Sequence, residues 1–252
     1  MKTIILVNQK GGVAKTTSTA NLSAVKAKQG STVLMIDLDP QASLTIASGI
    51  EPGEERLEGH SSCDLFDNRL DPFDSIYKVT SSGLENLYII PSNITLSETE
   101  QDLIHKMNRE VKLKKAIAKL APEFDYIFID CPPQLGQLSI NALVAADELL
   151  IPCKTDYLAY RGLKALTSTI EQIIEEDMNP NLKTLGIIAT FYESNIKDQR
   201  AILDMMDKVI PIIGTVRKST DICRNLVRGN PAVLALPNSK VAEEYTAIAN
   251  KI

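Results

Sequence analysis

The stretch Thr3-Ile4-Ile5-Leu6-Val7, then Asn8-Gln9, then Lys10-Gly11-Gly12-Val13-Ala14-Lys15-Thr16-Thr17 decides the reading of the chain. The first five residues form an unbroken, largely apolar run, the pattern of a strand buried on both faces. The residues from Thr16 to Gln29 have a helical period and stop at Gly30, as a helix end should. Strand, glycine-rich loop and helix in that order aim backbone N–H groups and a helix N-terminus at an anion. Lys15 adds positive charge, and the Thr16 hydroxyl reaches Mg²⁺. The spacing therefore implies a bound nucleoside triphosphate, with Gly11, Gly12, Val13, Ala14, Lys15, Thr16 and Thr17 around its phosphates.

The same alternation continues outward. Short apolar runs at 3–8, 32–37, 86–90, 125–130, 147–152, 184–190 and 210–216 read as strands, separated by stretches of helical period. That is the pattern of an α/β fold, a mostly parallel sheet covered by helices on both faces. Residues 1–252 read as one domain, an ordinary size for this class. A helix is expected from Thr95, where Thr95-Leu96-Ser97-Glu98 fits a capping box. Residues 50–75, acidic and rich in glycine, proline and serine, read as a surface excursion with a short helix near Cys63–Phe66. A last helix is expected over 239–251.

Bulk properties narrow the function. Hydrophobic residues make up 44% of the chain, enough for a full core, and the net charge of −5 argues against a generally basic nucleic-acid binder. The charge is uneven, however. Between Lys208 and Lys240 stand Lys208, Arg217, Lys218, Arg224, Arg228 and Lys240 against Asp221, whereas 51–110 holds thirteen acids and five bases. Such a basic patch either binds a polyanion locally, since its field decays within roughly 8–10 Å, or is an ordinary solvated face. Cys63, Cys131, Cys153 and Cys223 lack metal-ligand spacing, which argues against zinc and iron–sulfur sites and leaves buried small hydrophobes as their default. No signal peptide and no apolar run of about 18 residues is present, so a cytoplasmic protein is expected.

The loop departs from G-x-x-x-x-G-K-[ST], because Gln9 and Ala14 occupy its glycine positions. It fits K-G-G-x-x-K-[ST] instead, and here the chain resembles the ParA/MinD family of deviant Walker A ATPases, closest to small Soj-like ParA proteins. The resemblance extends to Asp37-Leu38-Asp39-Pro40-Gln41, to the strand and turn Asp125 through Asp130-Cys131-Pro132-Pro133, to Pro152 with Tyr157-Leu158-Ala159-Tyr160-Arg161-Gly162-Leu163, and to Gly229-Asn230-Pro231 through Tyr245. Tyr160 and Arg161 replace the more usual Leu and Glu.

The resemblance implies a P-loop NTPase domain that hydrolyses ATP with Mg²⁺. It implies that Lys15 sits on the β- and γ-phosphates, that Thr17 holds the α-phosphate, and that Lys10 reaches the phosphates of a partner subunit in an ATP-sandwich homodimer. Asp39 would position or activate the attacking water. Thr16, Asp130 and Asp39 would form the Mg²⁺ side, and Asp37 would either support that network or simply cap a strand end. An adenine pocket is expected near Thr190-Phe191-Tyr192 and Leu236-Pro237-Asn238. If Ala14 needs a positive φ, it is strained by about 1–2 kcal/mol.

Further expectations carried by the resemblance are non-specific DNA binding through Arg217, Arg224 and Arg228, hydrolysis stimulated by a centromere-binding ParB-type adaptor, nucleoid association, and plasmid or chromosome segregation. No membrane partner is expected, since Val241–Ile252 lacks the basic amphipathic pattern of MinD-type relatives. Alternatives remain open: a positioning ATPase for another cargo, or a metabolic ligase or kinase of the dethiobiotin-synthetase kind. Lys10 and the basic segment argue against the latter. A scaffold with a dead site is disfavoured by the presence of Lys10, Lys15, Thr16, Asp39 and Asp130.

Overall fold

The computed structural model describes residues 1–226 and 229–252, without the side chains of Arg56, Cys223 and Arg224. In chain order the elements are β1 (Lys2–Leu6), α1 (Lys15–Lys28), β2 (Val33–Asp37), α2 (Ser43–Ala47), β3 (Tyr77–Lys78), β4 (Leu87–Ile90), α3 (Leu96–Leu103), α4 (Lys112–Leu120) and β5 (Tyr126–Asp130). There follow α5 (Gln137–Ala145), β6 (Glu148–Lys154), α6 (Tyr157–Glu175), β7 (Lys183–Tyr192), α7 (Lys197–Asp207), β8 (Ile212–Arg217), α8 (Thr220–Leu226), α9 (Ala232–Ala235) and α10 (Lys240–Ala249). The strands form one eight-stranded sheet in the order β3-β4-β2-β5-β1-β6-β7-β8. Every pairing is parallel except that of β3 with β4.

Successive side chains on a strand point to opposite faces, and both faces here are dry. Ile5, Leu34, Ile36, Ile127 and Ile129 pack with Leu103, Leu113, Leu138 and Leu163 of α3 to α6. Ile4, Leu6, Val33, Met35 and Phe128 pack on the other side with Leu22 of α1 and Ile248 of α10. Each fully buried aliphatic side chain of this kind is worth about 1.5–3 kcal/mol of transfer free energy. The expected α/β sheet with helices on both faces is thus the observed one.

All the expected strands form. The short antiparallel strand β3 was not expected, because two residues carry no periodicity to read. The helix near Thr95 forms as α3, but Thr95 is not its side-chain cap. Both the Thr95 N–H and its hydroxyl donate to Asn93 Oδ1, a local acceptor that outcompetes the helix end. The 50–75 segment is more than a surface excursion. Its short helix Ser62–Phe66 carries a capping box in which Cys63 N–H donates to Ser61 Oγ and Ser61 N–H to Asp64 Oδ2, and it buries Leu65 and Phe66. The last helix begins at Ser239, whose hydroxyl accepts from Ala242 N–H at 3.2 Å.

One glycine sets how closely α10 lies on the sheet. A Cβ on Gly214, in β8, would stand 2.9 Å from Ile248 Cδ1 and closer still to its Cγ1. Gly214→Ala is expected to lower the unfolding free energy by about 1–3 kcal/mol through overpacking. Combined with Ile248→Ala, the loss is expected to fall well short of the sum of the two single losses, measured by urea unfolding of the three variants.

Candidate nucleotide site

Four parallel strands, β1, β2, β5 and β6, deliver their C-terminal ends to one place, where open α/β sheets bind ligands. The loop between β1 and α1 is pinned there by Asn8. Its Nδ2 donates to Pro152 O at 2.8 Å, its Oδ1 accepts Lys10 N–H at 3.0 Å, and its carbonyl accepts Lys15 Nζ at 3.2 Å. Thr190 Oγ1 donates to Val13 O at 3.1 Å and fixes the far side. Gly12 and Ala14 both take positive φ, 66° and 68°. The loop conformation therefore does place alanine in the left-handed region, where its Cβ is unfavourable.

A cavity of about 530 Å³ opens over this loop, lined by Gly11, Gly12, Ala14, Lys15, Thr16, Thr17 and Asp39 among others. A small, mostly apolar pocket of about 30 Å³ adjoins it along Thr190, Phe191, Val216, Ile222 and Tyr245. Phe191 is held at φ 54° on this wall. Pro237 and Asn238, expected beside the adenine, are exposed in the turn before α10 and line neither space.

Thr16 Oγ1 donates to Asp130 Oδ2 at 2.5 Å, joining the first turn of α1 to the end of β5. The other oxygen, Asp130 Oδ1, is buried with no hydrogen-bond partner, an orphaned acceptor beside a hydroxyl. That pair fits Mg²⁺, which takes oxygen ligands and keeps waters and phosphates in its shell. No group of three or more His, Cys, Asp or Glu side chains among the described residues could hold a metal. The ion would therefore depend on the nucleotide's own oxygens. Asp39, half-buried on the cavity wall, accepts Gln41 N–H on Oδ1 at 2.9 Å.

Asp37 stands beside Asp130 in register across β2 and β5. Burial lifts the Asp37 carboxyl from 3.8 to about 6, against the hydrogen bonds it accepts from the Thr45 hydroxyl, Thr45 N–H and Asp39 N–H. Those bonds tie the end of β2 to Asp39 and to Thr45 of α2. Burial, and then the Asp37 charge, push Asp130 well above the carboxylate range, opposed by Thr16 and Lys15. Burial holds the Lys15 ammonium below its ordinary value, opposed by Asp130, Cys131 and Asp39. Cys131 is pushed up by burial and by Asp130, and Cys153 is pushed up to about 12 by burial. Neither is a reactive thiol.

Lys10 was expected to point at a partner subunit. In this chain its Nζ lies 2.9 and 2.8 Å from the two oxygens of Asp156, the residue whose Oδ1 also accepts Ala159 N–H at the start of α6. Burial works against the Asp156 charge, but the Lys10 and Ala159 hydrogen bonds and the charges of Lys10 and Lys154 outweigh it and hold the carboxyl below its ordinary value. Asp156 was missed in the sequence, since 146 positions separate it from Lys10. Of the candidate DNA contacts, Arg217 ends β8 and pairs with Glu244 at 2.8 Å. Arg224 lies on α8, with its side chain outside the described residues, as Arg228 is entirely.

A glycine-rich loop closing on a helix N-terminus, a buried lysine and a hydroxyl–carboxylate metal seat define a P-loop ATPase. The AAA_31 family model, an AAA domain, matches residues 1–184. Soj of Bacillus subtilis, a sporulation initiation inhibitor protein, is 34% identical over 256 residues, covering all of this chain and 98% of its own. Cobyrinic acid a,c-diamide synthase from Mycobacterium smegmatis with bound ADP and magnesium is 31% identical, with a TM-score of 0.84 over 99% of this chain and 93% of its own. Apo McdA from Cyanothece reaches 0.88 at 26% identity, over 100% and 99%. The chain belongs to the ParA/MinD family of ATPases, on its Soj-like side, and its cofactors are ATP and Mg²⁺.

Two outcomes follow from this geometry. In Ala14→Gly, relief of about 1–2 kcal/mol of left-handed strain is partly offset by about 0.5–1 kcal/mol of added chain entropy. Urea unfolding is expected to show a net gain of about 0–1.5 kcal/mol. The second concerns protons. The raised Asp37 value makes a contribution to stability that is complete below 3.8 and is lost as pH rises through about 6. Mg²⁺ favours the ionised form of Asp130, so Mg-nucleotide binding is expected to release protons and to tighten as pH rises. Calorimetric titration near pH 6 in two buffers of different ionisation enthalpy is expected to give different heats, and equal heats would contradict the metal seat.

Proposed function

We propose that this chain is a ParA-type partition ATPase, in which ATP binding closes a sandwich homodimer that binds DNA without sequence preference. The observation that carries the reading is Lys10. It belongs to the phosphate loop, yet it does not line its own nucleotide cavity and is paired with partly exposed Asp156 at the rim. A cation placed there is free to exchange Asp156 for the phosphates of a second protomer, which makes dimerisation and triphosphate binding one equilibrium.

In this reading Lys15 and the loop amides hold the phosphates and Thr16 and Asp130 seat Mg²⁺. Asp39 orients the attacking water, and Lys10 neutralises transition-state charge in trans as an arginine finger does. A ParB-type adaptor would stimulate hydrolysis and release the dimer from DNA, moving a plasmid or chromosome. Arg224 and Arg228 are the stronger DNA candidates, because Arg217 is already engaged by Glu244. Similarity to Soj along the whole chain supports this reading over a positioning ATPase for another cargo. No described helix is long and apolar enough to cross a membrane. A metabolic amidating enzyme is the second reading, favoured by the structural likeness to the diamide synthase.

Co-sedimentation with DNA separates these readings. The protein is expected to be retained with Mg-ATP and released with Mg-ADP or without nucleotide. Lys10→Ala is expected to bind ATP but neither dimerise nor stay on DNA. Retention independent of nucleotide, or full ATP-dependent dimerisation of Lys10→Ala by light scattering, would contradict the sandwich reading. No retention in any state would favour the metabolic one.

A further inference from the structure

A third lysine stands at the phosphate loop, within the Pro152-to-Leu163 segment. Lys154 closes β6, at the end of the sheet that carries Asp37, Asp130 and the loop. Its register partner is Thr190, the residue that holds the Val13 carbonyl. The Lys154 ammonium lies 4.7 Å from the centroid of the Phe191 ring and 4.0 Å from where a Cβ on Gly12 would stand. Phe191 itself lines the nucleotide cavity, in a left-handed backbone conformation that bulky residues rarely adopt.

The partners of the three lysines differ. Lys10 holds two carboxylate oxygens, and Lys15 holds the carbonyls of Asn8 and Lys10. Among the described residues, Lys154 has neither a hydrogen bond nor a carboxylate within ion-pair distance, and its ammonium rests on an aromatic face. A ring face binds an ammonium more weakly than a phosphate oxygen does, so an arriving phosphate displaces it. With Thr17 on the α-phosphate and Lys15 on the β- and γ-phosphates, as in the reading above, the loop from Thr17 back to Gly12 would follow the triphosphate outward, and Lys154, 4.0 Å from the Gly12 Cβ position, would stand on its terminal side.

We propose that Lys154 is a further phosphate-binding residue of this ATPase: with ATP bound, its ammonium leaves the Phe191 ring, passes Gly12 and pairs with the γ-phosphate, so that it discriminates ATP from ADP. The proposal rests on the ATP site described above and does not require dimerisation or DNA. Equilibrium titration of wild type, Lys154→Met, Lys154→Gln, Lys154→Arg and Phe191→Leu with Mg-ADP and with a non-hydrolysable Mg-ATP analogue tests it. Lys154→Met and Lys154→Gln are expected to bind the triphosphate about tenfold or more weakly, with the diphosphate changed by less than about twofold. Lys154→Arg should recover most of the loss, and Phe191→Leu, which removes the ring that holds the ammonium when no γ-phosphate is present, should raise triphosphate affinity relative to diphosphate affinity. Equal weakening of both nucleotides, or no weakening, in Lys154→Met and Lys154→Gln would overturn the proposal. Failure of the wild type to bind Mg-ADP would instead strike at the site itself.

Discussion

The hydrogen bond from Thr16 to Asp130 is the contact on which the site depends, because it joins the two elements that no local sequence signal joins. Asp130 ends a strand in the middle of the sheet, flanked by β1 and β2, and its carboxylate is buried beside that of Asp37. Two neighbouring buried carboxylates are electrostatically costly when the site lacks its metal. The fold meets that cost with hydrogen bonds to one oxygen of Asp130 and to both of Asp37, and leaves Asp130 Oδ1 without a partner. A divalent cation beside Thr16 would give that oxygen a partner and offset the charge of the two carboxylates.

The cations around the loop follow the same logic. Lys15 is buried, has no carboxylate within ion-pair distance among the described residues and donates to backbone carbonyls, so a phosphate would give it its strongest interaction. Lys10 has a carboxylate partner at the rim and must give it up to act elsewhere. Asp156 ties that exchange to the start of α6, because the same carboxylate caps the helix. The exposed side chains of Tyr157 and Leu158 follow directly in the first turn of that helix.

Much of this was legible in the sequence. The strands were readable because a parallel sheet buried on both faces demands continuous apolar runs, and the loop because glycine, lysine and hydroxyl spacing serves one chemistry. Other features were out of reach for specific reasons. β3 is too short to have a period, and the Thr95 cap failed because Asn93 lies close enough to take the same donors. The 50–75 segment looked soluble by composition, yet Leu57, Leu65 and Phe66 anchor it. Lys10–Asp156 and Lys154–Phe191 join residues far apart in sequence, and only the order of strands in the sheet brings them together.

Asp130 and Thr16 are expected to form a metal seat that is completed only with nucleotide. Mn²⁺ can report on it directly by electron paramagnetic resonance, titrated with ATP into wild type and Asp130→Asn. Tight, nucleotide-dependent Mn²⁺ binding is expected in wild type, weakened at least about tenfold in Asp130→Asn, while metal-free ATP binding changes far less. Wild-type Mn²⁺ affinity in Asp130→Asn, or equal Mn²⁺ binding with and without ATP, would contradict it.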